Sequence, residues 1–276
     1  MATTKGLPDS PFGSGINLYL TLSRFLNLHI TAARNLGHVK DAFLGFPTQK
    51  RPYIIGLTGS VASGKSTFAR LLRTLLARWP DHPRVDVVTS DGFLYPNSVL
   101  EERRLMKRKG FPESYDVRRM ITFLASVKAG NTTAVAPIYS HFAYDILPGQ
   151  YHIVRRPDVL IFEGLNVLLA AGTVTDIASY YLDLLLYLDA EEAYLEEWYV
   201  KRFLLLQKTA FQDPASYFHS YRNLSPAEAS DVATNIWREI NLQNLRDNIL
   251  PARSRADVVL RKRIDHSLSE IWLRHC

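Results

Sequence analysis

The sequence predicts an α/β fold in which a mainly parallel sheet is covered by helices on both faces, and three observations carry that expectation. Short, nearly continuous apolar runs recur at Tyr53 to Thr58, Val85 to Thr89, Val159 to Phe162 and Leu184 to Leu188. Helical patterns separate them, as strands buried on both faces require. Directly after the first run stands Gly59-Ser60-Val61-Ala62-Ser63-Gly64-Lys65-Ser66, which fits the phosphate-loop pattern G-x-x-x-x-G-K-[ST] at every fixed position.

A pattern that short also arises by chance, as a Gly/Ser turn that happens to precede a helix, so its flanks decide. A strand-length apolar run precedes it, and in Ser66 to Leu76 the apolar residues fall three and four apart, as one buried helix face demands. In that context the glycines let successive amides surround a polyphosphate and the helix N-terminus adds partial positive charge. Lys65 can reach the outer phosphates and Ser66 can ligate magnesium. The expected ligand is therefore a nucleoside triphosphate.

Along the chain, residues 1–15 are rich in Pro, Gly and Ser and read as a loose arm, followed by a helical lead-in over 16–50 whose apolar pattern is clearest from 16 to 35. Residues 51–276 form the α/β core of what reads as one domain, with further long helical patterns over 191–206 and 226–248. A chain of 276 residues with 47% hydrophobic content can bury such a core. No apolar run reaches membrane-spanning length, and the first residues lack the apolar centre of a secretory signal, so the expected setting is the cytoplasm. The single cysteine is Cys276, which excludes an internal disulfide and a cysteine metal cluster and leaves oxygen as the metal donor.

A formal charge of +6 admits anionic partners, and Arg103, Arg104, Lys107, Arg108 and Lys109 form a basic run. Acidic residues flank that run and no aromatics interleave with it for base stacking. It reads as a solvated helix face or a surface that attracts an acidic small substrate, and no nucleic-acid partner is expected.

In a parallel sheet, ligands sit beyond the carboxyl ends of the strands. The second strand runs into Asp91-Gly92, the third into Glu163-Gly164 and the first into the phosphate loop. Asp91 alone reads equally well as an Asp-Gly turn. For Glu163 the alternative is a loop carboxylate, but its position after a strand, as in a Walker B element, favours a magnesium or water-positioning role. Taken together they offer one carboxylate to orient an attacking hydroxyl and another near a metal. Tyr199, Arg202, Phe203 and Leu206 stand at i, i+3, i+4 and i+7, so one helix face presents a phenol, a guanidinium and apolar cover. Trp237, Ile240, Asn241 and Asn244 repeat that spacing; taken alone, the first stripe reads as an amphipathic core face with an incidental Arg, and the asparagines of the second as surface or capping residues.

The chain resembles the bacterial type I pantothenate kinases. The resemblance rests on Gly59 to Ser66, on Thr89-Ser90-Asp91-Gly92-Phe93-Leu94-Tyr95-Pro96-Asn97, and on Arg108-Lys109-Gly110-Phe111-Pro112-Glu113-Ser114-Tyr115-Asp116. It continues through Tyr139-Ser140-His141, Tyr144-Asp145, Glu163-Gly164-Leu165-Asn166-Val167-Leu168, Asp213 to Phe218 and Glu239-Ile240-Asn241, and runs from about residue 19 to the end. Uridine kinase and phosphoribulokinase share the loop and the strand-end Asp but not the Lys-Gly-Phe-Pro-Glu-Ser-Tyr-Asp and Glu-Gly-Leu-Asn-Val-Leu blocks.

The resemblance implies a P-loop NTP hydrolase-like kinase fold and ATP-dependent phosphorylation of the primary hydroxyl of pantothenate, with ATP and Mg2+ as cofactors. Asp91, Lys65 and Arg202 are its implied catalytic residues. Gly59, Ser60, Val61, Ala62, Ser63, Gly64, Lys65, Ser66 and Thr67 hold the phosphates, with His266 near the base, and Ser66 and Glu163 at the metal. Tyr139, His141, Tyr144, Tyr199, Phe203, Phe218 and Asn241 form the substrate wall. The family is inhibited by coenzyme A in competition with ATP, which carries to Lys65, Arg70 and His141, and it forms homodimers through a helix interface. Two departures stand out: the segment before residue 19 differs from the family, and Leu206 takes a place usually held by an aromatic near the pantetheine end of the inhibitor, which implies weaker inhibition. A kinase for another hydroxylated metabolite such as uridine, and a nucleic-acid-associated regulator that binds ATP, are the competing readings.

Overall fold

The computed structural model describes residues 14–47, 50–168 and 177–274. Most of the arm expected over 1–15, and Cys276, lie outside the described residues. The strands are β1 (Tyr53–Gly59), β2 (Val85–Thr89), β3 (Ala134–Ser140), β4 (Asp145–Val154), β5 (Val159–Glu163), β6 (Leu184–Asp189), β7 (Val258–Lys262) and β8 (Leu268–Leu273). The helices used below are α1 (Ser14–Phe43), α2 (Lys65–Leu76), α3 (Asn97–Glu102), α4 (Val117–Lys128), α5 (Glu192–Gln207) and α6 (Pro226–Ile236).

The main sheet has the order β2-β5-β1-β6-β7-β8. All its pairings are parallel except that of β8 with β7. Every residue of β1 and β5 is buried, because both faces of these strands are covered. Ile55 and Leu57 point to one side, where Leu22, Leu26 and Ile30 of α1 and Phe68, Leu72 and Leu76 of α2 pack on them. Ile54 points to the other, among Phe93, Met120, Phe123, Leu124, Trp198 and Trp237. The four strands and the helix after the phosphate loop thus lie where the apolar runs predict them.

Four elements differ from the sequence reading. The lead-in helix is longer than its 16–35 pattern, extending over Ser14–Phe43. Four strands lie outside the sequence reading: the antiparallel pair β3–β4, with six consecutive residues of β4 solvent-exposed, the edge strand β8, and β7, whose buried apolar run Val258-Val259-Leu260 is only three residues long. The basic run is not one helix face, since α3 ends at Glu102 and a separate 3₁₀ turn covers Met106–Arg108. Over 226–248, α6 starts with a Ser225/Glu228 capping box and Pro226 in the first turn, then gives way to a π turn at Trp237–Asn241, one α turn at Leu242–Asn244 and a second π turn at Leu245–Ile249. Each π turn takes an extra residue and shifts the faces that 3.6-residue spacing would align.

Leu72 is 2% exposed and Leu71, its neighbour on α2, 40% exposed. Leu72→Ala is expected to lower the unfolding free energy by about 2–5 kcal/mol. Leu71→Ala should change it by less than about 0.5 kcal/mol. Urea denaturation of the two variants checks whether α2 carries the core of this face.

Candidate active site

The phosphate loop is built by its own backbone. Gly64 caps α2 with φ 86°, a left-handed conformation that strains any residue with a Cβ. The Lys65 ammonium donates to the Ser60 carbonyl at 2.8 Å, and Ser63 Oγ donates to the same oxygen at 2.8 Å. The loop is closed across its mouth by the lysine that the motif places there. Burial holds the Lys65 pKa below its ordinary value, and the Arg202 guanidinium acts the same way, while Glu163 and Asp91 oppose both.

Parallel register brings the two strand-end carboxylates to this loop. Thr89 at the end of β2 lies beside Glu163 at the end of β5, which in turn lies beside Leu57 of β1. Ser66 Oγ donates to Glu163 Oε1 at 2.9 Å. Two residues past Thr89, Asp91 sits on a 3₁₀ turn whose first amide is capped by Thr89 Oγ1, accepting from the Asp91 N–H at 3.3 Å. A Cβ at Gly164 would fall 1.8 Å from Ser90 Oγ, so only glycine lets the ends of β5 and β2 approach this closely. Glu163 is 5% exposed, and burial raises its pKa despite the opposing Lys65 charge and a hydrogen bond from Ser66. Asp91 keeps 22% of its side chain exposed.

The β3–β4 hairpin lays an aromatic wall over Asp91. His141 Nε2 is 3.9 Å from Asp91 Oδ2, and the Tyr139 ring meets it edge-on with centroids 5.2 Å apart. Partial desolvation in the cleft lowers the His141 pKa, helped by Arg202, Lys65 and Lys109 and opposed by Asp91. Tyr144 packs on Phe218 with centroids 4.9 Å apart. Burial first, then Asp91 among other groups, raises the pKa of Tyr139 and of Tyr144, which keeps both phenols protonated as hydrogen-bond donors.

From α5 come Tyr199 and Arg202. Tyr199 hydrogen-bonds Asn241 of the first π turn, and its ring lies 5.7 Å from that of Trp237. The face expected to carry Asn241 and Asn244 together is divided: Asn244 is buried and donates to the Gly110 carbonyl at 2.9 Å. Phe203 is 6% exposed and edge-packed on Phe211 and Tyr221, so it backs the wall from within a separate small core. Thr67 and Arg70 lie exposed on the first turns of α2, with Arg70 donating to Thr67 Oγ1 at 3.5 Å. His266 lies on the turn between β7 and β8, stacked on Trp198 with centroids 4.1 Å apart.

Two lysines at this site escape the sequence reading. Lys109, counted above in a solvated basic run, is 9% exposed. It donates to Asn97 Oδ1 at 2.5 Å and to the Tyr144 carbonyl, and its ammonium stands 4.1 Å from the Tyr144 ring centroid. Burial pushes its pKa down to about 8, against the pull of Asp145 and Asp91. Its neighbours in the run are charged as well, so only the location inside the Lys-Gly-Phe-Pro-Glu-Ser-Tyr-Asp block sets it apart. Lys262, at the end of β7, donates to the Ser63 carbonyl at 2.8 Å, and no motif marks it.

A glycine-rich loop between a buried strand and a helix, with a lysine across it and two carboxylates at neighbouring strand ends, defines a P-loop kinase site. The phosphoribulokinase/uridine kinase family model matches residues 54–204. The crystal structure of a protein from Silicibacter sp. TM1040, presented as a fructose transport system kinase, superposes with a TM-score of 0.62 at 24% identity, covering 83% of this chain and 92% of that one. That likeness shows the fold. A pantothenate kinase of Parvibaculum lavamentivorans is 55% identical over 274 residues, 95% of this chain and 84% of the relative. One of Sorangium cellulosum is 56% identical over 258 residues, 93% of this chain and 84% of the relative. The chain belongs to the phosphoribulokinase/uridine kinase family and, within it, to the pantothenate kinases, and it is an enzyme.

Glu163 provides a test of the site's electrostatics. Its folded pKa lies above the ordinary value of 4.5, so the native state loses stability as pH rises through that folded pKa and shows no such loss below the ordinary value. Glu163→Gln, which keeps an acceptor for Ser66, should raise the melting temperature of the nucleotide-free protein near neutral pH. The gain should shrink as the pH approaches 4.5, and an equal gain at both ends would assign the effect to packing instead.

Proposed function

We propose that this chain transfers the γ-phosphoryl group of ATP to the primary hydroxyl of pantothenate, giving 4′-phosphopantothenate and ADP, the step that opens coenzyme A biosynthesis. The observation that carries this reading is the shared cleft: Asp91, partly exposed, lies within the electrostatic reach of Lys65 and next to His141, in relatives' company named pantothenate kinase.

Phosphoryl transfer has a loose transition state, so the protein mainly places the nucleophile in line and neutralises charge on the oxygens. In this reading the Asp91 carboxylate orients the pantothenate hydroxyl and accepts its proton as the new O–P bond forms and the bond from the γ-phosphorus to the leaving ADP oxygen breaks. Lys65 leaves the Ser60 carbonyl to follow the phosphates, and Arg202 meets charge on the transferring group. Residues 59–67 cradle the polyphosphate, and His266 stands at the base end. The Ser66 hydroxyl and the Glu163 carboxylate are hard oxygen donors, which fits a magnesium ion completed by phosphate and water oxygens. Such an ion would neutralise phosphate charge. Tyr139, His141 and Tyr144 line the hydroxyl end of the substrate, Tyr199 and Asn241 its amide and carboxylate end, and Phe203 and Phe218 support its branched middle.

The same amide cradle suits the diphosphate of coenzyme A, so we assign feedback inhibition to Lys65, Arg70 and His141. A homodimer is supported by α1, which leaves Leu20, Leu28, Leu36 and Val39 half or more exposed. Among the described residues no helix is long and apolar enough to cross a membrane, and the proposed setting is the cytoplasm.

Asp91→Ala should lower kcat by about 10²–10⁴-fold while ADP binding, read by calorimetry, changes little. Asn241→Ala should act mainly on the pantothenate KM, by about tenfold. Near-normal turnover in the first variant, or an unchanged pantothenate KM in the second, removes that residue from its role. Coenzyme A should raise the apparent KM for ATP without lowering the maximal rate, and a purely noncompetitive pattern in initial-rate assays would place the inhibitor elsewhere.

A further inference from the structure

Lys262 is a buried cation whose partners all belong to the nucleotide end of the site. It is 8% exposed, its ammonium stands 5.3 Å from the Trp198 ring centroid, and its hydrogen bond goes to the backbone of the phosphate loop, 199 residues away in sequence. The side chain is aimed there by strand alternation: Lys262 has the same parity in β7 as the buried Val258 and Leu260, and the extra residue at the β7–β8 register shift, Ser269, lies on β8. Arg261 meets Glu191 at 3.1 Å, while Lys262 turns in toward the loop. Burial lowers the Lys262 pKa to about 8 with no carboxylate acting against it. A solvent-facing lysine would avoid that cost, so the position calls for an explanation.

The geometry of one peptide unit supplies it. In a trans peptide the carbonyl and the following N–H point in opposite directions, and no cis peptide occurs among the described residues. Pinning the Ser63 carbonyl outward onto Lys262 therefore turns the Gly64 N–H to the opposite side. Gly64 is also the residue that must take φ 86° to start α2, and a Cβ on it would come within 3.1 Å of the Lys262 ammonium. The Ser60 carbonyl is held separately by Lys65 and Ser63 Oγ, leaving Lys262 as the side-chain anchor of the Ser63–Gly64 peptide.

We propose that Lys262 is a positioning residue that fixes the Ser63–Gly64 peptide of the phosphate loop so that the Gly64 amide is presented to a polyphosphate. Its action runs through the loop, independently of the adenine base and of the acceptor substrate. The inference rests on the reading of this loop as the ATP site.

The test compares the wild-type chain with Lys262→Met, which keeps length and removes the donor. Affinities for ADP and for inorganic tripolyphosphate, which carries no base, are measured by calorimetry, beside the KM for ATP and for pantothenate. Loss of a charge-assisted bond that orders the loop should weaken ADP and tripolyphosphate by a similar factor, about tenfold or more. The ATP KM should rise in step, while the pantothenate KM and the ligand-free melting temperature stay near wild type. Weakening of ADP with tripolyphosphate unaffected would show that Lys262 touches the nucleoside, and the proposal fails. It fails equally if both ligands bind Lys262→Met as they bind wild type, or if both KM values rise together. Wild-type protein that binds neither ligand would instead overturn the assignment of the loop as a nucleotide site, whatever Lys262 does. Lys262→Gln, milder in a buried position, carries the same comparison should the Met variant not fold.

Discussion

Parallel pairing of β2, β5 and β1 is the constraint on which this site depends. It aligns three carboxyl ends side by side, and the register sets Thr89 beside Glu163 and Glu163 beside Leu57, one turn of chain from the phosphate loop. A slip of one residue would send Glu163 into the opposite face and away from Ser66, because strand side chains alternate with a period of two. Both faces of the sheet are packed, by α1 and α2 on one side and by Phe93, Phe123 and Trp198 on the other, so such a slip would disrupt the cores on both faces. The precision of the site is thus inherited from the core.

Around that frame the fold gathers three buried lysines. Lys65, Lys109 and Lys262 are each 9% exposed or less, and burial is the leading cause that lowers the pKa of each. Their hydrogen bonds run mostly to backbone carbonyls, and aromatic rings flank two of them. Ammonium groups held this way keep most of their charge available to a ligand, whereas a tight carboxylate pair would cancel it. The desolvation cost is met on folding, and a polyanion entering the cleft finds cations already oriented in a medium that screens weakly.

The aromatic wall follows a complementary logic. Tyr139, Tyr144 and Tyr199 bring polar tips on rigid rings and Phe218 an apolar face, so few rotamers would need to be frozen for a small polar molecule with an apolar middle to settle against them. Lys109 joins this wall to the carboxylate side of the cleft. It bonds Asn97, which follows Asp91 on the chain, and the Tyr144 carbonyl of the hairpin, and the Asn97 N–H in turn donates to Asp145 at 3.0 Å. Residues from three separate sequence blocks are fastened together there by one ammonium.

Periodic burial and local backbone chemistry were legible in the chain itself. Apolar runs announced β1, β5 and β6 because both faces of those strands are buried, and edge strand β2 because its valines pack on the two cores, while the glycine spacing announced the loop because the left-handed conformation at residue 64 favours glycine. Asp91 and Glu163 were visible because they follow strands that end together. The hairpin β3–β4 was not, since a strand with exposed faces needs no apolar run, and the π turns were not, since hydrophobic spacing carries no information about an extra residue in a turn. Lys109 and Lys262 were decided by tertiary structure alone. A lysine's side chain is the same in water as against a loop carbonyl, and only the surrounding fold, a closing hairpin beside Lys109 and the phosphate loop beside the end of β7 at Lys262, determines which of the two it meets.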